Sequence, residues 1–154
     1  MDLSDFIGAD SILPSLKLAS KKQVLQELAG KAAALSGLDE RQIFETLLQR
    51  ERLGSTGVGH GVAIPHGKMA GLDRLFGMFA RLDKPIDFDA MDDEPVDLVF
   101  LLLAPEGAGA DHLKALARIA RVLREPGMAK KLRGCRDAVG LYAMLTQPAE
   151  SNAA

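Results

Sequence analysis

Apolar residues along this chain change their spacing several times, and each change marks an element. Ser11–Leu18 reads as an extended segment interrupted by Pro14. Ser20 then opens S-K-K-Q, a spelling in which Ser20 and Gln23 satisfy each other's exposed amides at a helix start. Val24, Leu25, Leu28, Ala32 and Leu35 follow at intervals that place them on one helical face, and Gly37 stops the helix. Asp39 begins a second cap, D-E-R-Q. The helix after it has Ile43, Phe44, Leu47 and Leu48 as its apolar face and ends at Gly54.

The spacing then shortens. Val62–Pro65 reads as a short strand ending at a proline, and Leu75–Leu82 as a second strand. Val96–Ala104 (VDLVFLLLA) has an unbroken apolar centre, which predicts a central strand covered on both faces. Between the last two, Asp83–Asp97 holds seven acids and reads as a solvated loop or hairpin, without the glycine and terminal glutamate of a calcium loop. Helical spacing returns at Asp111, the expected cap of a helix through Leu123 that turns Leu113, Leu116, Ala117, Ala120 and Leu123 inward and Lys114, Arg118 and Arg121 outward. A short segment from Pro126 to about Leu132 and an amphipathic helix over Asp137–Leu145 close the pattern. Helices before, between and after strands predict an α/β sandwich. Gln147–Ala154 is small and polar and reads as a frayed tail.

Composition narrows the function classes. With 154 residues, 47% of them hydrophobic and 26% charged, the chain is long and apolar enough for one domain with its own core. Its net charge of −2, absence of Trp and single Tyr leave no basic face or stacking platform, so a nucleic-acid partner is not expected. Cys135 is the only cysteine and forms neither an internal disulfide nor a multi-cysteine zinc site. The N-terminus, MDLSDFIGAD, lacks the basic and apolar regions of a secretory signal. The longest apolar run, Leu98–Ala104, is far short of the roughly 20 residues of a membrane span. A soluble, cytoplasmic protein without membrane insertion is the expectation.

Candidate chemistry gathers in Leu53–Lys68, LGSTGVGHGVAIPHGK, where five glycines permit close backbone approach. Such a segment can aim its amides at an anion, or it can be a plain irregular loop. No P-loop spelling occurs in it. His66, flanked by Pro65 and Gly67 at a strand terminus, is held stiffly and left accessible; it serves either as a nucleophile or as a capping histidine. A neutral imidazole nitrogen suits phosphoryl transfer, in which positioning and stabilisation of charge on the equatorial oxygens do most of the catalysis. Arg50 lies at the border of the apolar face of its helix, near the end that feeds the glycine segment. It reads either as the cation such chemistry needs or as a solvated charge at the helix C-terminus. Glu51 falls near the middle of that apolar face, where a carboxylate needs an ion pair or loop amides. His112, in the first turn of a helix and within its apolar stripe, is either a hydrogen-bond donor to the site or a core-edge histidine. His60, His66 and His112 could together hold a metal, but their spacing fits no common zinc motif.

The stretch Arg50–Lys68, R-E-R-L-G-S-T-G-V-G-H-G-V-A-I-P-H-G-K, resembles the active-site segment of IIA components of the bacterial phosphoenolpyruvate-dependent phosphotransferase system. The branch is the fructose/mannitol type, and within it the nitrogen-regulatory member, IIA-Ntr. Asp111–His112 is similar to the D/E-H pair that opens a helix in that family, and the order of elements over residues 5–146 resembles its fold. The resemblance implies a mixed central sheet flanked by helices, as in mannitol-type IIA. It implies His66 as the phosphorylated residue, Arg50 as the cation beside the phosphoryl group and His112 as the supporting histidine. Ser55 and Thr56, with Gly61 and Gly67, would shape the loop around the phosphate. The donor would be a phosphorylated HPr-like carrier, with no metal or organic cofactor. Phosphorylation state would then control partner proteins; the alternative is a sugar-specific relay to a fructose- or mannitol-type IIB. Relatives often carry Asn or an acid where His60 stands, which leaves the role of His60 open.

Overall fold

The computed structural model describes residues 1–147. After two short 3-10 turns, Leu3–Asp5 and Ala9–Ser11, the elements are β1 (Ile12–Leu16), α1 (Lys21–Ser36), α2 (Glu40–Leu53), β2 (Gly57–Gly59), β3 (Val62–Ala63), β4 (His66–Met69), β5 (Phe76–Ile86), β6 (Val96–Pro105), α3 (Gly109–Arg124), α4 (Met128–Arg133) and α5 (Ala138–Leu145). The six strands form one mixed sheet in the order β1-β5-β6-β3-β2, with β4 also paired to β6. β1–β5, β3–β6 and β4–β6 are parallel, whereas β5–β6 and β2–β3 are antiparallel. Pro14 is tolerated in β1 because that strand is an edge, paired to β5 alone among the described residues.

The apolar centre of β6 is covered on both faces. Val99, Leu101 and Leu103 join Val24, Leu28, Ile43 and Leu47 of α1 and α2 in one core, while Leu98, Phe100 and Leu102 meet Ala115, Ile119, Leu132 and Leu141 from the α3–α5 side in the other. The expected α/β sandwich with a mixed central sheet is therefore present. Ser20 caps α1 by accepting from the Gln23 amide, and Gly37 closes it at φ 79°. The return bond differs from expectation, since the Gln23 side chain accepts from the Ala19 amide rather than that of Ser20. Asp39 caps α2 through the Gln42 amide. Among the described residues no helix is long and apolar enough to cross a membrane.

Three expectations need correction. The strand expected over Leu75–Leu82 continues to Ile86, so the first part of the acidic stretch is sheet. Asp83 is held there by Ser15 and Arg81, which also draw its carboxyl below the usual carboxylate range. Second, α3 starts three residues earlier than expected, with Ala108 at the cap and Asp111 inside the first turn. Its core face is His112, Ala115, Ile119, Val122 and Leu123, while Leu113 is 69% exposed. Arg118, expected outward, has a largely covered side chain near Asp2. His112 is inward, as its place in the apolar stripe predicts, while the inward position expected for Leu113 is not taken up. Third, much of the glycine segment is a hairpin, with β2 and β3 joined at His60 (φ 57°) and Gly61 (φ 80°). Two consecutive positive φ values suit a tight hairpin turn. Of the expected tail over residues 147–154, only Gln147 lies within the described residues.

Candidate functional site

The strands β3 and β4 lie end to end along the same edge of β6. Val62 and Ala63 pair with Leu98 and Val99, and His66 to Met69 pair with Leu102 to Pro105. Ile64 and Pro65 interrupt the run. A proline has no amide to give a ladder, and the Ile64 amide turns away to the Thr56 carbonyl at 2.9 Å. The Ile64 carbonyl then faces His66 and accepts its Nδ1–H at 2.8 Å. A carbonyl oxygen only accepts, so Nδ1 carries the ring proton and the lone pair is on Nε2.

His66 lies in an open groove lined by Thr46, Gln49, Arg50, Arg52, Leu53, Gly67, Lys68 and His112. The His66 and His112 rings meet edge to face, with centroids 5.6 Å apart. His112 is 8% exposed, and its Nε2 is buried without a partner among the described residues. Arg50 is half-buried and donates from Nη1 to the Gly54 carbonyl at 2.7 Å. Burial holds the His66 imidazole below the ordinary histidine value. The Ile64 carbonyl opposes this, Arg50 adds to it and Glu51 opposes it more weakly. The ring of His112 is likewise lowered, by burial first and then by His66 and Lys68.

Glu51 satisfies the demand its sequence position created. Its carboxylate, 3% exposed, accepts from the Thr56 amide at 3.2 Å and from the Thr56 hydroxyl, and pairs with Lys21 Nζ at 3.1 Å. Ser55 donates to the Phe88 carbonyl at 2.6 Å and accepts from the Gly57 amide at 3.0 Å. Of the two readings of the segment, an anion nest is therefore not formed by these amides. Thr56, Gly57 and His60 amides are taken by Glu51, Ser55 and Asp92 respectively. Ser55 and Thr56 shape the backbone but do not line the groove, and Gly61 serves the hairpin turn, where an added Cβ would meet the Arg133 guanidinium. His60 stands apart as well: its carbonyl accepts from Arg133 at 2.8 Å, and it borders a different depression with Arg124 and Lys130. Among the described residues no three His, Cys, Asp or Glu side chains gather as a metal site.

Gly67 does have a direct structural reason to lack a side chain. A Cβ there would sit 2.6 Å from Thr46 Cγ2, where β4 packs against α2. Gly67→Ala is expected to cost about 1–3 kcal/mol from overpacking, seen as a lowered midpoint of thermal unfolding; an unchanged midpoint contradicts this account.

Lys68 was missed by sequence reasoning. It follows His66 by two residues on one strand, so both side chains leave the same face. A strand ending at Pro65 hid that alternation, whereas one beginning at His66 reveals it.

Over residues 5–147 the chain matches the family described as Phosphoenolpyruvate-dependent sugar phosphotransferase system, EIIA 2. It is 66% identical over 148 residues to a nitrogen regulatory protein of Bradyrhizobium diazoefficiens, covering 96% of this chain and 97% of that one. It is also similar to the crystal structure of the nitrogen regulatory protein IIA-Ntr from Neisseria meningitidis, with a TM-score of 0.89 and 37% identity over 94% of this chain and 99% of that one. The mannitol IIA of Escherichia coli has the same fold, with a TM-score of 0.76 and 20% identity over 90% of this chain and 98% of that one.

Proposed function

The chain belongs to the phosphoenolpyruvate-dependent sugar phosphotransferase system EIIA 2 family, and from that premise we propose that it is a regulatory, cytoplasmic phosphocarrier whose His66 accepts a phosphoryl group from a phosphorylated HPr-like protein. One observation carries this reading. The Nδ1–H of His66 is committed to Ile64, which leaves a nucleophilic Nε2 in a groove whose lining includes Arg50, Arg52 and Lys68 and no acid among the described residues.

Nε2 attacks the phosphorus of the donor's phosphohistidine. The donor's P–N bond breaks as a new P–N bond forms, and the donor ring, which carries a proton on its other nitrogen, keeps the electron pair of the broken bond and leaves as a neutral imidazole. The proton on Nδ1 of His66 stays in place, where the Ile64 carbonyl stabilises the positive charge that develops on the ring. Arg50 and Lys68 offset charge on the equatorial oxygens. The buried Nε2 of His112, without a partner among the described residues, gains one in the phosphoryl group. Once formed, the adduct changes the charge of the groove by roughly −1.5 to −2, by analogy with other phosphorylated side chains. That change is large against a lining of three cations, and partner proteins of the nitrogen-regulatory kind are selected by it.

The test is incubation with phosphoenolpyruvate and the general phosphotransferase proteins, followed by mass spectrometry. The expected product is one acid-labile, base-stable phosphoryl group on His66. A hydroxyl-linked phosphate, or none, rejects the proposal, and rapid onward transfer to a fructose- or mannitol-type IIB assigns a sugar relay in place of regulation.

The lowered titration of His66 has a further consequence. Its proton binds less readily in the folded chain than in the unfolded one, so acid favours unfolding. The stability held by the neutral ring is complete above the unfolded value of about 6.5 and is lost as pH falls towards the folded value. In an NMR titration the His66 midpoint is expected below about 6.5 and to rise in Arg50→Ala. A midpoint at or above the ordinary value contradicts the burial assigned to this ring.

A further inference from the structure

His66 owes its orientation to the Ile64 carbonyl, and Ile64 is itself outside the β6 ladder. Val62, Ala63 and His66 are paired to β6, and the Pro65 carbonyl accepts from Leu102, but the Ile64 amide goes to the Thr56 carbonyl. Thr56 is in turn held at its amide and hydroxyl by Glu51. The Glu51 carboxylate, almost wholly buried, has Lys21 as its cation. A continuous series of hydrogen bonds therefore joins the first turn of α1 to the acceptor ring: Lys21 to Glu51 at 3.1 Å, Glu51 to the Thr56 amide at 3.2 Å, Thr56 to Ile64 at 2.9 Å, and Ile64 to His66 at 2.8 Å.

We propose that Lys21 is a positioning residue for His66, acting through Glu51 and the peptide groups of Thr56 and Ile64. Lys21 is absent from the lining of the His66 groove, so it does not act as a further phosphate cation. It works by pairing with the buried Glu51 carboxylate and keeping it in place. Glu51 left without its cation is a buried charge with too few partners, and such a group moves towards water. Movement of Glu51 releases the Thr56 amide and loosens the peptide that holds the imidazole.

Lys21 is also fixed from a second side. Its ammonium reaches Asp89 Oδ2 at 3.1 Å and lies 5.2 Å from the centre of the Phe88 ring, and Ser55 bonds the Phe88 carbonyl. The acidic segment that follows β5, where Asp89 takes a φ of 54°, thus holds the same lysine that holds Glu51.

This inference rests on the reading of His66 as acceptor, because it explains how Nε2 rather than Nδ1 is kept free. Two variants of the full chain test it, Lys21→Met and Lys21→Arg, and beside them Thr56→Val removes the hydroxyl that also holds Glu51 while keeping the backbone groups of the series. The first readout is the His66 tautomer by 15N NMR, which needs no phosphoryl chemistry. The expected result is a single Nδ1–H tautomer in the parent chain, a mixture containing Nε2–H in Lys21→Met and in Thr56→Val, and restoration in Lys21→Arg. The second is transfer from a phosphorylated HPr-like donor. Here kcat is expected to fall about tenfold in Lys21→Met, equivalent to the loss of one hydrogen bond of about 1.4 kcal/mol, with KM for the donor unchanged. Where Lys21→Met fails to fold, Lys21→Gln, which removes the charge and keeps much of the side chain's length, carries the tautomer test in its place. An unaltered tautomer in the variants that fold overturns the proposal whatever the rate does, and so does a disturbance that arginine does not repair. A parent chain that takes up no phosphoryl group defeats the functional reading while leaving the tautomer test intact.

Discussion

His66→Ala takes up no phosphoryl group from a phosphorylated donor, and it keeps its fold. The loss is complete because no other nitrogen in the groove is arranged to replace Nε2. His112 is the nearest alternative, but it is 8% exposed and its Nε2 is buried. The structural cost is small by comparison. His66 is half-buried on a short strand that is otherwise held to β6 by backbone pairing from His66 to Met69, and the side chain contributes one hydrogen bond, to Ile64. Its removal costs about 1 kcal/mol, or roughly 2–4 °C in thermal midpoint for a chain of this size. The measurement is phosphoryl incorporation alongside circular dichroism and thermal unfolding of the same preparation. A fully phosphorylated His66→Ala protein removes His66 from the acceptor role. If His112→Ala in its place is the variant that loses all incorporation, the two histidines exchange roles.

The extent to which this site was legible depended on whether each residue's signal was local. The caps at Ser20 and Asp39 depend on residues three positions apart, and both formed. The apolar centre of β6 is a run that only a doubly covered strand explains, and two cores enclose it. Glu51 was legible as a contradiction, an acid on an apolar face, and the contradiction is resolved by Thr56 and Lys21. The residues that escaped are those whose role is set by a register or by a distant segment. Lys68 shares a face with His66 only once β4 is known to start after Pro65. Lys21 is an ordinary helix-start lysine until tertiary packing brings α1 beside the end of α2. The face of α3 was legible in part: His112 falls within the apolar stripe and is buried there, whereas Leu113, expected inward, is exposed. The glycine density of residues 54–67 is compatible with an anion-binding loop or a plain irregular one, and density alone does not show that the glycines serve separate ends: a hairpin turn at Gly61 and close approach to Thr46 at Gly67.

Arg50→Ala lowers the rate of phosphoryl acceptance about 10²-fold, the scale of losing one charge-stabilising donor in a preorganised site. Three features put Arg50 in that role rather than among solvated helix charges. It is half-buried, it lines the groove that holds His66, and it is close enough to push the imidazole towards its neutral form. Its Nη1 bond to the Gly54 carbonyl fixes the side chain across the end of α2, so the guanidinium is already oriented when the phosphoryl group arrives. The neighbouring cations do not replace it, since Arg52 and Lys68 are exposed and their charges are screened by water. Arg50→Lys restores only part of the rate, because an ammonium is a point charge without the planar fork that bonds two phosphoryl oxygens. Single-turnover transfer at saturating donor is the appropriate measurement, as it separates chemistry from docking. Stability changes little, with one hydrogen bond to Gly54 exchanged for water. A parent-like single-turnover rate in Arg50→Ala, with a folded protein and intact His66, removes Arg50 from the transition state and leaves Lys68 as the cation to examine.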